Sequence, residues 1–202
     1  MDKTMTASKT ITDGQTENIL DKLRSALRKH RSEFSSDVAQ QVCGVENLGM
    51  ELFAVVRKHA ERFSDMIVRR VSVNRNRNQH EALKATGCTL YVSDDVVKTM
   101  PKGEGEEAEV HFFKLGRWIS DDDLEQEFEV RGFKPADPYS LAAVNEADPA
   151  FADEHPNSTH WKDANGKWCY AAFDRWYDER RVRVHRYDDG WDDSWWFAGV
   201  CK

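Results

Sequence analysis

His155 and His160 stand five residues apart, Cys169 follows nine further on, and Asp153, Glu154 and Asp163 lie close by. Imidazole, thiolate and carboxylate are the donors zinc takes, so this segment is the first place to look for a metal-dependent hydrolase or nuclease. Structural zinc sites show tight paired spacings that are absent here, and a surface loop with two histidines beside a buried thiol explains the same letters. Asp163-Ala164-Asn165-Gly166 opens like a calcium loop but lacks its closing glutamate, so it predicts a hairpin turn. Acids also cluster at Asp121-Asp122-Asp123 with Glu125, and at Asp188-Asp189 with Asp192-Asp193. Paired carboxylates run acid–base chemistry when burial splits their pKa values. The first cluster equally suits a helix N-terminus and the second a tight turn. Nucleophile-elbow and phosphate-loop signatures are missing, which leaves only a spatial pairing of Cys169 with His160 or His185.

Aromatic side chains offer binding rather than bond chemistry. Six of the seven tryptophans are Trp161, Trp168, Trp176, Trp191, Trp195 and Trp196. Such density makes either a heavily packed core or a flat binding surface. Alternation along a strand sorts Trp168, Tyr170, Ala172 and Trp176 onto one face and Cys169, Ala171 and Phe173 onto the other. In the next strand Val182 and Val184 face one way, Arg181, Arg183, His185 and Tyr187 the other. Arg among aromatics is typical of interaction hot spots. The expected binding residues are therefore Arg181, Arg183, His185, Trp191, Trp195 and Trp196, with Trp191 and Trp195 as the grip for a sugar or nucleotide. A second, basic stretch carries Arg69, Arg70, Arg75 and Arg77, which can meet nucleic-acid phosphates or acids of the same chain.

The elements that must hold these groups fall into two parts. Residues 1–14 are polar and aperiodic and predict a flexible tail. Residues 15–72 read as a helical segment: apolar positions recur at Ile19, Leu20, Leu23, Leu27, His30 and Phe34, and again from Leu48 through Phe63 to Met66 and Ile67. Both stripes need a cover, and uncovered they form a homo-oligomer surface. Residues 69–78 predict a polar linker. Residues 73–202 predict an α+β domain, with helices capped at Ser93, Ser120 and near Asp137, a strand over 109–115, and a Trp-rich antiparallel β-meander of strands over 167–176, 180–187 and 194–200.

The 202 residues carry a net charge of −7, with 32% charged and 40% hydrophobic, which argues against indiscriminate polyanion binding. No apolar run reaches the ~18 residues of a membrane span. Met1 leads into a polar stretch, so no secretory signal is expected, and the four scattered cysteines predict reduced thiols in a cytoplasmic protein.

The wording of "VNRNRNQHEALKATG", "FFKLGRWISDDDLEQEFEVRG" and "ADPYSLAAVNEADPAFADEHPN" resembles a group of small bacterial proteins with no assigned activity. That resemblance spans residues 74–202 and implies a module joined to differing N-terminal segments. The closing "GWDDSWWFAGVCK" is similar to the end of C-type lectin-like domains, without their disulfides, and implies testing a glycan. The fold expected is α+β. The leading function is a non-enzymatic, protein-binding protein without cofactor or catalytic set. The alternatives are a metal-dependent hydrolase or nuclease and a small-ligand or glycan-binding module.

Overall fold

The computed structural model describes residues 10–61, 64–186 and 189–202. The chain divides into two compact units, Met1–Lys58 and His59–Lys202. The first holds α1 (Asp13–Lys29), a single 3-10 turn (Arg31–Glu33) and α2 (Ser36–Cys43). The helix α3 (Leu48–Glu61) runs to the end of that described stretch. Thr12 and Gln15 close a capping box at the start of α1, and Ser35 caps α2, which satisfies backbone donors that a helix start otherwise leaves bare. Neither α1 nor α2 contains a buried residue.

The second unit begins with a strand where the sequence reads as the end of a helix and a linker. Met66–Ser72 is β1, followed by α4 (Gln79–Ala85), β2 (Thr89–Val92) and α5 (Asp94–Val97). Then come β3 (Glu107–Lys114), α6 (Asp121–Val130), β4 (Phe133–Pro135), α7 (Pro138–Ala147) and α8 (Phe151–Glu154). The strands β5 (Asn157–Lys162), β6 (Trp168–Trp176), β7 (Glu179–Arg186) and β8 (Trp196–Cys201) complete one mixed sheet of eight. Its order is β1-β3-β8-β5-β6-β7-β2, with β4 also paired to β8.

The expected meander is thus corrected in its membership. The antiparallel run is β5, β6 and β7, whereas β8 leaves it to lie between β3 and β5. Asn157–Lys162, expected as a loop, is a strand. Its residues are polar yet interior because their partners come from helices: Asn157 exchanges amide hydrogen bonds with Asn145 of α7. The expected position Phe63, the tail residues 1–9, and Tyr187 and Asp188 lie outside the described residues.

Both sheet faces are covered, which explains why β6 is apolar on both sides. One face meets α4, α5, α7 and α8, burying Phe112, Phe173, Val182, Val184, Leu83 and Leu141 among others. The other buries Phe113, Tyr170 and Phe197 under Leu124 and Phe128 of α6 and under Trp191 and Trp195. Gly199 of β8 permits that second layer to close. A Cβ there would sit 3.1 Å from both the Phe128 ring and the Phe133 Cβ, tighter than ordinary packing.

Candidate functional site

The first turn of α6 sets the site. Ser120 caps the helix by accepting from the Asp123 N–H, so Asp121 and Asp122 occupy the first turn and Glu125 follows one turn later. The β5–β6 register places His160 opposite Tyr170, facing α6. There His160 Nδ1 lies 2.7 Å from Asp121 Oδ1, which also accepts from Trp191 Nε1 at 2.9 Å. Trp168 stacks on the imidazole at 4.4 Å and donates its own N–H to Asp122. His160 Nε2 stands 3.2 Å from Glu125 Oε2. Those two atoms are buried and have no aligned hydrogen bond, so the attraction between them is one of charge. His160 and the two indoles therefore clamp the α6 N-terminus onto the sheet.

The electrostatics follow from this enclosure. Burial alone pushes the His160 imidazole down, but the contacts with Asp121 and Glu125 and their charges outweigh it and hold the pKa above its ordinary value. The contact with His160 in turn holds the Glu125 carboxyl below its ordinary range, against partial burial. Glu125 thus stays ionised, fixed from behind, with 45% of its side chain exposed.

What Glu125 faces is a cleft of about 940 Å³. Its origin is topological. β5 pairs with β8 only through Asn157 and Ser158, while β4 takes the same side of β8 at Gly199–Cys201. Beyond Ser158 the two short partners diverge, and the gap is bridged by Thr159 Oγ1 donating to Ala136 O at 2.5 Å. His160, Trp161 and Lys162 line one wall, Pro135 and Ala136 the other. Further along, Arg75 enters with Asp137 and Ser140: the guanidinium contacts the Asp137 carboxylate at 2.8 and 3.2 Å and Ser140 Oγ at 3.1 Å. It also donates to the carbonyls of Gly105 and Lys102.

The residues expected to bind are largely engaged within the fold. Trp191, Trp195 and Trp196 are 7%, 8% and 8% exposed, so they are core rather than a grip for a ligand. Arg181 and Arg183 share the buried Asp174, with Arg181 bidentate at 2.7 and 2.9 Å and Arg183 at 3.0 Å. Their guanidinium groups also lie over Trp176 and Trp195. His185 pairs with Ser93 Oγ at 2.8 Å. Asp174→Ala would leave two arginines on the sheet without their common anion, and a loss of about 2–4 kcal/mol in urea unfolding is expected. A loss within experimental error would mean the triad is ordinary surface structure.

The basic stretch is likewise matched by acids: Arg69 with Asp148 at 3.8 Å, Arg70 with Glu109 at 2.5 Å, Arg75 with Asp137, and Arg77 with Glu146 at 2.5 Å. Each of these four arginines thus has an acid of the same chain beside it, Arg70 with its side chain still 83% exposed. The zinc expectation meets a register argument. Cys169 lies opposite Trp161 and so points to the face away from His160, while His155 packs between Phe151 and Trp196. Asp153 is held by Arg180 and Asp163 by Arg186. Among the described residues no group of three His, Cys, Asp or Glu converges as a metal site.

Sequence reasoning read Asp121 and Glu125 as a helix-stabilising or acid–base cluster and His160 as a candidate zinc ligand or loop residue, and did not bring them together. No local signal joins them, because the contact spans residues from different elements. No protein-family model, curated protein or solved structure matches this chain.

Proposed function

We propose that the α+β domain is a small-ligand-binding module whose ligand enters the cleft between β4 and β5. The supporting observation is Glu125: a carboxylate whose pKa is held down, 3.2 Å from the buried His160 ring, presented on the wall of a cleft of ligand size. A preorganised carboxylate accepts N–H or O–H donors without reordering cost. The ligand is therefore a small polyol or amine rather than a flat ring. Trp168 stacks on His160 and has the Lys162 ammonium 4.3 Å from its ring centroid, so its indole is already engaged within the fold. Catalysis is not part of the reading, since both His160 ring nitrogens lie against acids of α6, Asp121 and Glu125.

Calorimetric titration with a panel of sugars, polyols and simple amines tests it, with tryptophan emission followed in parallel because Trp161 and Trp168 line the cleft. Glu125→Gln is expected to weaken a binding probe at least about tenfold, the worth of a charged hydrogen bond. Silence across both classes, or equal binding by the variant, would sink the proposal.

A second reading, protein binding, attaches to the helical segment. Leu20, Leu27, Phe34, Val38, Met50 and Phe53 are all exposed there, more apolar side chain than a segment of that length leaves in water without a partner.

A further inference from the structure

The apolar side of α1 has the spacing of a helix–helix seam. Thr16, Leu20, Leu23 and Leu27 follow one another at steps of four, three and four. Those are the a and d positions of a paired-helix repeat, with Ile19 and Ala26 widening the apolar face on one side. Leu20 and Leu27 are 43% and 56% exposed. In the same frame Glu17 and Arg24 occupy the flanking e positions, and the g positions are the uncharged Ile19 and Ala26.

These flanks discriminate between orientations. In a parallel pair each e residue meets a g residue, so Arg24 faces Ile19 and Glu17 faces Thr12, and no opposite charges meet. Like ends also coincide, Asp13 with Asp13 and Arg28-Lys29 with its own copy. In an antiparallel pair e meets e, so Glu17 of one copy faces Arg24 of the other, twice by symmetry. Leu20 then stacks against Leu23 and Thr16 against Leu27. Each acidic first turn lies beside the basic last turn of the other helix, which the helix dipoles favour. The present partner of Arg24 is Asp21, an exposed pair within α1 that is weak enough to exchange.

We infer that a second copy of this chain covers the α1 seam, helix against helix, antiparallel. This rests on the protein-binding reading of the helical segment.

Sedimentation equilibrium of the full chain tests it, with an expected mass twice the 23.3 kDa of one chain. Leu27→Glu is expected to give a monomer with an unchanged melting temperature, because Leu27 is exposed in the single chain. Glu17→Arg or Arg24→Glu alone places like charges in both e–e contacts and should weaken the dimer about tenfold. The double exchange E17R/R24E restores it. A dimer indifferent to Leu27→Glu, or singles that the double exchange does not rescue, overturns the antiparallel seam. So does a chain that stays monomeric at roughly 100 µM. For such a monomer, hydroxyl-radical footprinting separates two failures. Labelling of Leu20 and Leu27 would leave the face open to a different protein, so only self-association falls. Protection of both by the chain itself would remove the protein-binding reading as well.

Discussion

Replacing His160 with alanine is expected to lower the unfolding free energy by about 3–5 kcal/mol, the usual cost of removing one partner from a buried ion cluster. The variant keeps Asp121 enclosed with only the Trp191 N–H for company, takes the cation from Glu125, and strips Trp168 of its stacking face. The loss should depend on pH, and the two shifts fix the direction. The His160 pKa is raised in the fold, so its contribution is complete below the ordinary imidazole value of 6.5 and fades as pH climbs through the folded value above it. The Glu125 pKa is lowered, so its contribution is complete above the ordinary 4.5 and fades as pH falls through the folded value below it. Wild type and variant should therefore differ most between those two ordinary values. Urea unfolding at about pH 5.5 and about pH 9 measures the gap, which should narrow at the higher pH. A gap that is the same at both, or under roughly 1 kcal/mol, would reduce the cluster to an incidental surface pair.

Trp196→Ala is expected to cost about 3–5 kcal/mol and to lower the melting temperature by roughly 10 °C. From the sequence, Trp196 qualifies as an exposed binding anchor whose loss would spare the fold. In the structure it is 8% exposed, meets the His155 ring edge-on at 5.2 Å, and stands at the start of β8 opposite both Lys114 of β3 and Asn157 of β5. Truncating it opens a void where three strands meet. Differential scanning calorimetry decides the matter: a variant that melts with the wild type would return Trp196 to the surface and the binding reading with it.

The sequence showed its local chemistry and hid its long-range chemistry. Ser35, Ser120 and Asp137 are caps in the structure as their side chains suggest, each accepting from a backbone N–H in the first turn. Asp163 forms the hairpin turn, with Oδ1 accepting from the Asn165 and Lys167 N–H groups. Alternation in β6 and β7 is read correctly because it depends only on neighbours. β1 was missed because its inward positions are Ile67, Arg69 and Val71, and an inward arginine breaks the apolar alternation. Arg69 is tolerated there because it lies over the Phe151 ring at 4.5 Å, close to Asp148. β5 was missed for the same kind of reason. The candidate site depends on which strands become neighbours, and no spacing within the chain encodes that α6 will lie over β5.

The place of β8 in the sheet has a consequence for how the protein is made. It joins β3, β4 and β5, yet it is synthesised after all the other strands. During translation, at about 5–20 residues per second, β1 with β3 and β5 with β6 and β7 can each pair early, but the two halves have no common strand until Trp196–Cys201 emerges. For those seconds the edges of β3 and β5 are bare and open to strands of other nascent chains. A chain stopped before Trp196 would lack the strand that joins the two halves of the sheet, and is expected to aggregate rather than form a smaller folded protein.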